Sequence, residues 1–139
     1  MEKQKELVKA IINEDYNETY NILCEINEND DGVKYVEYLI NFMMENPDID
    51  YGMPGPIVHF IEKYPIDYYV GYLIEAIEKK PNDTLLWMLN RITNITVGSD
   101  RDRYIEILKH TSERNDIDDI TREGALQFYR FQISTSMGE

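Results

Sequence analysis

The chain is poor in the side chains that most often carry chemistry: its 139 residues include one cysteine, Cys24, and two histidines, His59 and His110. A single thiol excludes an intramolecular disulfide. Cys24 lies between Leu23 and Glu25 with no basic neighbour to lower its pKa, and reads as an inert, half-buried thiol. Two imidazoles leave few routes to a metal or acid–base site. His59, inside Ile57-Val58-His59-Phe60-Ile61, reads as a partly buried histidine hydrogen-bonded within an apolar helix. His110 ends a helix and offsets its negative terminus. Glu106 shares a face with it, but two ligands without a second cluster do not make a zinc site.

Other absences are equally restrictive. No apolar run approaches the length that spans a bilayer. Met1-Glu2-Lys3-Gln4-Lys5-Glu6 lacks the apolar stretch of a signal peptide, so a cytoplasmic location is expected. No serine sits in a Gly-x-Ser-x-Gly setting. Gly52-Met53-Pro54-Gly55-Pro56 has the outline of a phosphate loop, but two prolines delete two amide donors and no Gly-Lys-Ser/Thr follows. It reads as a rigid connector. Two acidic segments fail as calcium loops. Asp48-x-Asp50-x-Gly52 puts Met53 where glycine is required, and Asp116-x-Asp118-x-Ile120 offers Thr121 there and Gln127 in the last ligand slot. The expectation is a protein with no catalytic site, cofactor or metal.

What the chain has is acid. Twenty-seven Asp and Glu face 14 Lys and Arg, a formal net charge of −13, so phosphate backbones and anionic membrane surfaces repel it. Neither nucleic acid nor membrane is an expected partner. Residues 1–50 hold 13 of the acids against four bases, which concentrates the field toward one end.

Apolar residues recur at helical spacing throughout, and no alternating run suggests a strand. Leu7, Ala10 and Ile11, then Tyr16, Tyr20, Leu23 and Ile26, predict two short helices or one bent one around Asn13-Glu14-Asp15. Val33, Val36, Leu39, Ile40 and Met43 predict a helix that stops near Pro47. Helices follow over about 56–64, with Pro56 suited to a first turn, and about 66–80, with Tyr69, Tyr72 or Leu73, Ala76 and Ile77 inward. Asn82 or Asp83 caps the next, in which Leu85, Leu86, Leu89, Ile92 and Thr93 or Thr96 share a face. Ser99 or Asp100 caps a seventh through about Thr111, burying Tyr104, Ile107 and Leu108. The last, about 118–133, turns Ile120, Gly124, Phe128 and Phe131 inward, flanked by Ala125.

The fold class is therefore all-α, about eight short antiparallel helices in a single helical domain over 1–139. Tyr72-Leu73-Ile74-Glu75 loosely echoes Tyr104-Ile105-Glu106-Ile107, which leaves a HEAT- or armadillo-like hairpin stack and a compact irregular bundle both open.

Eleven tyrosines are the one compositional excess, and tyrosine is enriched at protein interfaces. Tyr16, Tyr35, Tyr38, Tyr51, Tyr68 and Tyr69 stand among or near carboxylates, and half of them are expected to be exposed.

YGMPGPIVHFIEKY at 51–64 and LLWMLNRITN at 85–94 resemble the small helical immunity proteins of bacterial contact-dependent inhibition and other polymorphic toxin systems. From the first residue of one segment to the last of the other is about a third of the chain. The resemblance implies a cytoplasmic antitoxin that binds and neutralises the C-terminal domain of a cognate toxin, often a cationic nuclease, as a monomer within a heterodimer. Within the matched segments Pro54, Gly55, Pro56, His59, Trp87, Asn90 and Arg91 read as scaffold, with Asn90 and Arg91 tying their helix to the connector loop. Contacts are expected from the acidic N-terminal half: Asp15, Glu18, Asp30, Asp31, Glu37, Asp48 and Asp50, with Tyr51 or Tyr38 as an aromatic anchor. The other function class compatible with these residues is a helical adaptor or assembly module for a basic protein.

Overall fold

A computed structural model describes residues 2–28, 32–52 and 54–137. Among them the chain forms eight helices and no strand: α1 (Gln4–Ile12), α2 (Tyr16–Glu28), α3 (Gly32–Glu45), α4 (Gly55–Glu62), α5 (Ile66–Lys79), α6 (Asp83–Asn94), α7 (Gly98–Ser112) and α8 (Asp119–Met137). Prolines set several borders. α3 stops two residues before Pro47, Pro56 occupies the first turn of α4, and α5 lies between Pro65 and Pro81. Asn82 caps α6, its side-chain oxygen accepting the Leu85 N–H at 3.1 Å. The expected Ser99 or Asp100 cap of α7 is corrected: the helix already starts at Gly98, whose φ of 73° makes the turn that a side chain would resist.

By contact the chain divides into two compact units, 1–72 and 73–139, with the boundary inside α5 rather than in a linker. In the first unit α2 packs on α1, α3 and α4. Its interior holds Leu7, Ile11, Leu23, Ile26, Tyr35, Leu39, Met43, Ile57, Val58 and Ile61. A fully buried Leu or Ile contributes about 1.5–3 kcal/mol, so these stripes dominate the stability of helices too short to persist alone. α2 and α4 run in the same direction: Tyr16 and Pro56 line one crevice at their starts, and the Tyr64 hydroxyl just beyond α4 donates to Asn27 near the end of α2 at 3.2 Å. The buried face of α2 is Thr19, Ile22, Leu23 and Ile26, one residue round from the expected stripe, which leaves Tyr16 and Tyr20 exposed. Val33, also expected inside, is exposed.

In the second unit α6, α7 and α8 pack on one another around Leu85, Leu86, Met88, Leu89, Ile92, Tyr104, Leu108 and Ala125. The face of α8 departs from expectation. Thr121, Ala125 and Gln132 are buried, whereas Ile120 and Phe131 are exposed. The cause is a polar tie: the buried Gln132 amide donates to Asn90 Oδ1 and Asn94 Oδ1 at 2.7 Å each, fixing α8 to α6. Asn90 therefore binds α8, and Arg91 lies over the Trp87 ring at 4.8 Å. At the start of α7, Arg101 donates to Thr93 O at 2.8 Å and Gln132 O at 3.3 Å.

Candidate functional site

The corner between α1 and α2 is built on an unusual residue. Glu14 has a φ of 54°, the left-handed conformation that glycine normally supplies where a helix ends. Its N–H donates to Ile11 O at 2.9 Å and the next N–H, of Asp15, donates to Ala10 O at 3.0 Å, closing the carbonyls of the last turn of α1. Asp15 then caps α2: its Oδ1 accepts the Glu18 N–H at 3.1 Å, three residues along. Two carboxylates and a third at Glu18 thus leave the corner within one helical turn, all exposed.

The loop after α3 closes on this corner. Tyr16 donates its hydroxyl to Asp50 O at 2.9 Å, and the Asp50 N–H donates to Glu14 Oε2 at 2.9 Å. Asp50 Oδ1 accepts the Gly52 N–H at 2.9 Å, turning the chain into the connector. Partial desolvation, followed by the charges of Asp50 and Glu14, raises the Tyr16 phenol above its ordinary pKa. Acidic groups more than thirty residues apart in sequence therefore meet at one surface. Asp15, Glu18 and Asp50 of the expected contact set are brought together there, and Asp48, also exposed, lies two residues from Asp50. Glu14 and Tyr16 belong to the same cluster and lie outside the expected contact set; the Asp15-Tyr16-Asn17-Glu18 capping pattern marks the helix start beside them.

The rest of the expected set behaves differently. Asp30 and Asp31 lie outside the described residues. Glu37 is exposed on α3, and the half-buried Tyr38 lines a separate shallow groove with Val8 and Ile12 of α1, its ring beside Phe42. Tyr51 is corrected from surface anchor to core residue. Its ring is buried and its hydroxyl donates to Asn46 O at 2.6 Å, and burial pushes the phenol far above its usual range. Of the six tyrosines near carboxylates, Tyr16 and Tyr68 are exposed, Tyr38 is half-buried, and Tyr35, Tyr51 and Tyr69 are buried.

One turn along α2 from Tyr16, a cleft of about 460 Å³ opens between α2 and α4. Leu23, Pro56 and Phe60 contribute its apolar surface, with Tyr20, Cys24 and His59 among the polar side chains around them. Cys24 is half-buried and hydrogen-bonds to Tyr20, which raises the Tyr20 phenol. His59 is exposed, not partly buried as expected, because it sits on the α4 face opposite the Val58–Ile61 stripe.

The electrostatics follow the sequence division. Unit 1 carries 15 Asp and Glu against five Lys, a net −10, and unit 2 carries 12 against nine Lys and Arg, a net −3. All six arginines belong to unit 2. Among the described residues no three His, Cys, Asp or Glu side chains converge as metal ligands would, and no helix is long and apolar enough to cross a membrane. No family model, curated protein or solved structure matches the chain.

Proposed function

We propose that this chain is an immunity protein, whose acidic first unit binds a cationic, nuclease-type toxin domain and keeps it from its substrate. The observation that carries the reading is the junction of Glu14, Asp15, Glu18 and Asp50 at a single exposed corner, in the unit that holds most of the surplus negative charge. Charge of that density speeds encounter with a basic protein and competes with the nucleic acid the partner would otherwise hold. Hydrogen bonds fix the corner before any partner arrives, which lowers the ordering cost of binding. The resemblance of 51–64 and 85–94 to immunity proteins points to the same class of partner.

The test is coexpression with the cognate toxin domain, sought among the genes adjoining that of this chain. Cells that express both survive, and the two proteins copurify with nanomolar or tighter affinity that weakens as salt rises. Copurification without survival would favour the adaptor reading. Neither survival nor copurification would remove both.

A further inference from the structure

We propose that the cleft between α2 and α4 receives one large apolar side chain, aromatic or long aliphatic, borne on a cationic segment of the partner. This deepens the binding reading above and rests on it. The cleft has the volume of a small ligand site and an apolar lining formed by Leu23, Pro56 and Phe60, yet it lies in the unit with a net charge of −10. Its own rim is mixed, with Glu62 and Lys63 side by side, so the rim selects for neither sign.

Selection comes from one turn away. Pro56 lines both the cleft and the crevice that contains Glu14, Tyr16 and Asp50, so the two depressions adjoin. Tyr16 and Tyr20, both exposed and four residues apart on α2, share one face of that helix, the first at the acidic corner and the second at the cleft. Four residues of helix advance about 6 Å, which two residues of extended chain also span. The fitting segment therefore places a lysine or arginine about two residues from its large apolar side chain. Apolar burial supplies the lifetime of such a contact, and the neighbouring carboxylates supply its orientation and rate.

Cys24 lies in the cleft and is the only thiol of the chain, so its alkylation by iodoacetamide reports occupancy. The probes are two synthetic lysine-rich peptides of equal charge, one with tryptophan two residues from a lysine and the other with serine in its place. At low salt the tryptophan peptide binds about tenfold more tightly, by calorimetry, and slows Cys24 alkylation in proportion to its occupancy. Tyr20→Ala, at an exposed position and with circular dichroism verifying the fold, reduces the tryptophan peptide to the affinity of the serine peptide. Equal affinity of the two peptides for the unaltered protein, or unchanged alkylation at saturation, overturns the proposal. Toxin rescue accompanied by equal peptide affinities removes the cleft and leaves neutralisation standing. Preferential tryptophan-peptide binding without rescue does the reverse.

Discussion

Glu14, whose own backbone is left-handed, accepts the backbone N–H of Asp50 on its carboxylate at 2.9 Å. Helix ends of this shape favour glycine, and a glutamate there costs roughly 1–2 kcal/mol. A glycine would close α1 as well but could not reach the loop after α3. The strained residue and the tethered loop are one device, and they place Asp50 beside the cap of α2.

Glu14→Gly separates the two effects. Relief of the left-handed backbone offsets the lost hydrogen bond, so global stability stays within about 1 kcal/mol of the parent. The Asp50 amide, deprived of its acceptor, exchanges its proton faster with solvent. Unchanged exchange at Asp50 would mean that Glu14 does not hold the loop.

Neutralising the corner with Asp15→Asn, Glu18→Gln, Asp48→Asn and Asp50→Asn removes four charges and keeps the local bonds. Asparagine caps a helix as well as aspartate does, and its side-chain oxygen can still accept the Gly52 N–H at position 50. The fold is retained, while association with the toxin domain proposed as partner slows about tenfold at low salt and loses much of its salt dependence. Stopped-flow kinetics reads both. An unaltered rate would move the contact surface elsewhere.

Helix existence, and the ends set by prolines and Asn82, were legible because those residues act locally, within one or two residues of the border they set. Helix faces were less so. Hydrophobicity ranks Phe131 above Gln132, yet Gln132 is the buried one, since its partners Asn90 and Asn94 lie 42 and 38 residues earlier. Tyr16 is exposed for a similar reason: its hydroxyl binds Asp50 O, 34 residues on. The acidity of the site could be counted, but its convergence depends on a glutamate occupying a glycine's backbone geometry, which composition does not encode.

Gly32, at the start of α3, lies beneath the Tyr64 hydroxyl and Asn27 Oδ1, and a Cβ there would collide with both. Gly32→Ala is expected to cost about 1–3 kcal/mol through overpacking. Tyr64→Phe removes the nearest atom of the collision, so alanine costs less in that background. A double-mutant cycle in urea measures the coupling, and strict additivity would show that the contact is not felt.

Tyr51→Phe deletes a buried hydroxyl whose one described partner is Asn46 O. The loss is about 1 kcal/mol of stability, by urea midpoint, with affinity for the proposed partner unchanged. A weakened complex from a variant of parental stability would restore Tyr51 to the contact surface.

Arg114 joins the end of α5 to the segment before α8. Its guanidinium donates to Ile77 O at 3.3 Å and Glu78 O at 2.9 Å, carbonyls of the last turn of α5, and grips both Asp116 oxygens at 2.9 and 2.8 Å. Arg114→Ala should cost about 1–2 kcal/mol, and lysine, a point charge without the planar fork, should recover less than half of it. The pairing holds the Asp116 carboxyl at about 2 against its ordinary 3.8. A depressed carboxylate stabilises the folded state only while ionised, so its contribution is complete above the unfolded value and vanishes as pH falls through the folded one. The stability gap between the parent and Asp116→Asn is therefore constant above about pH 4 and closes between about pH 4 and pH 2. Urea midpoints at pH 7, 4, 3 and 2 follow the gap directly. A difference that persists undiminished at pH 2 would mean that Asp116 acts through its shape and hydrogen bonds, and that its charge contributes nothing to the clamp.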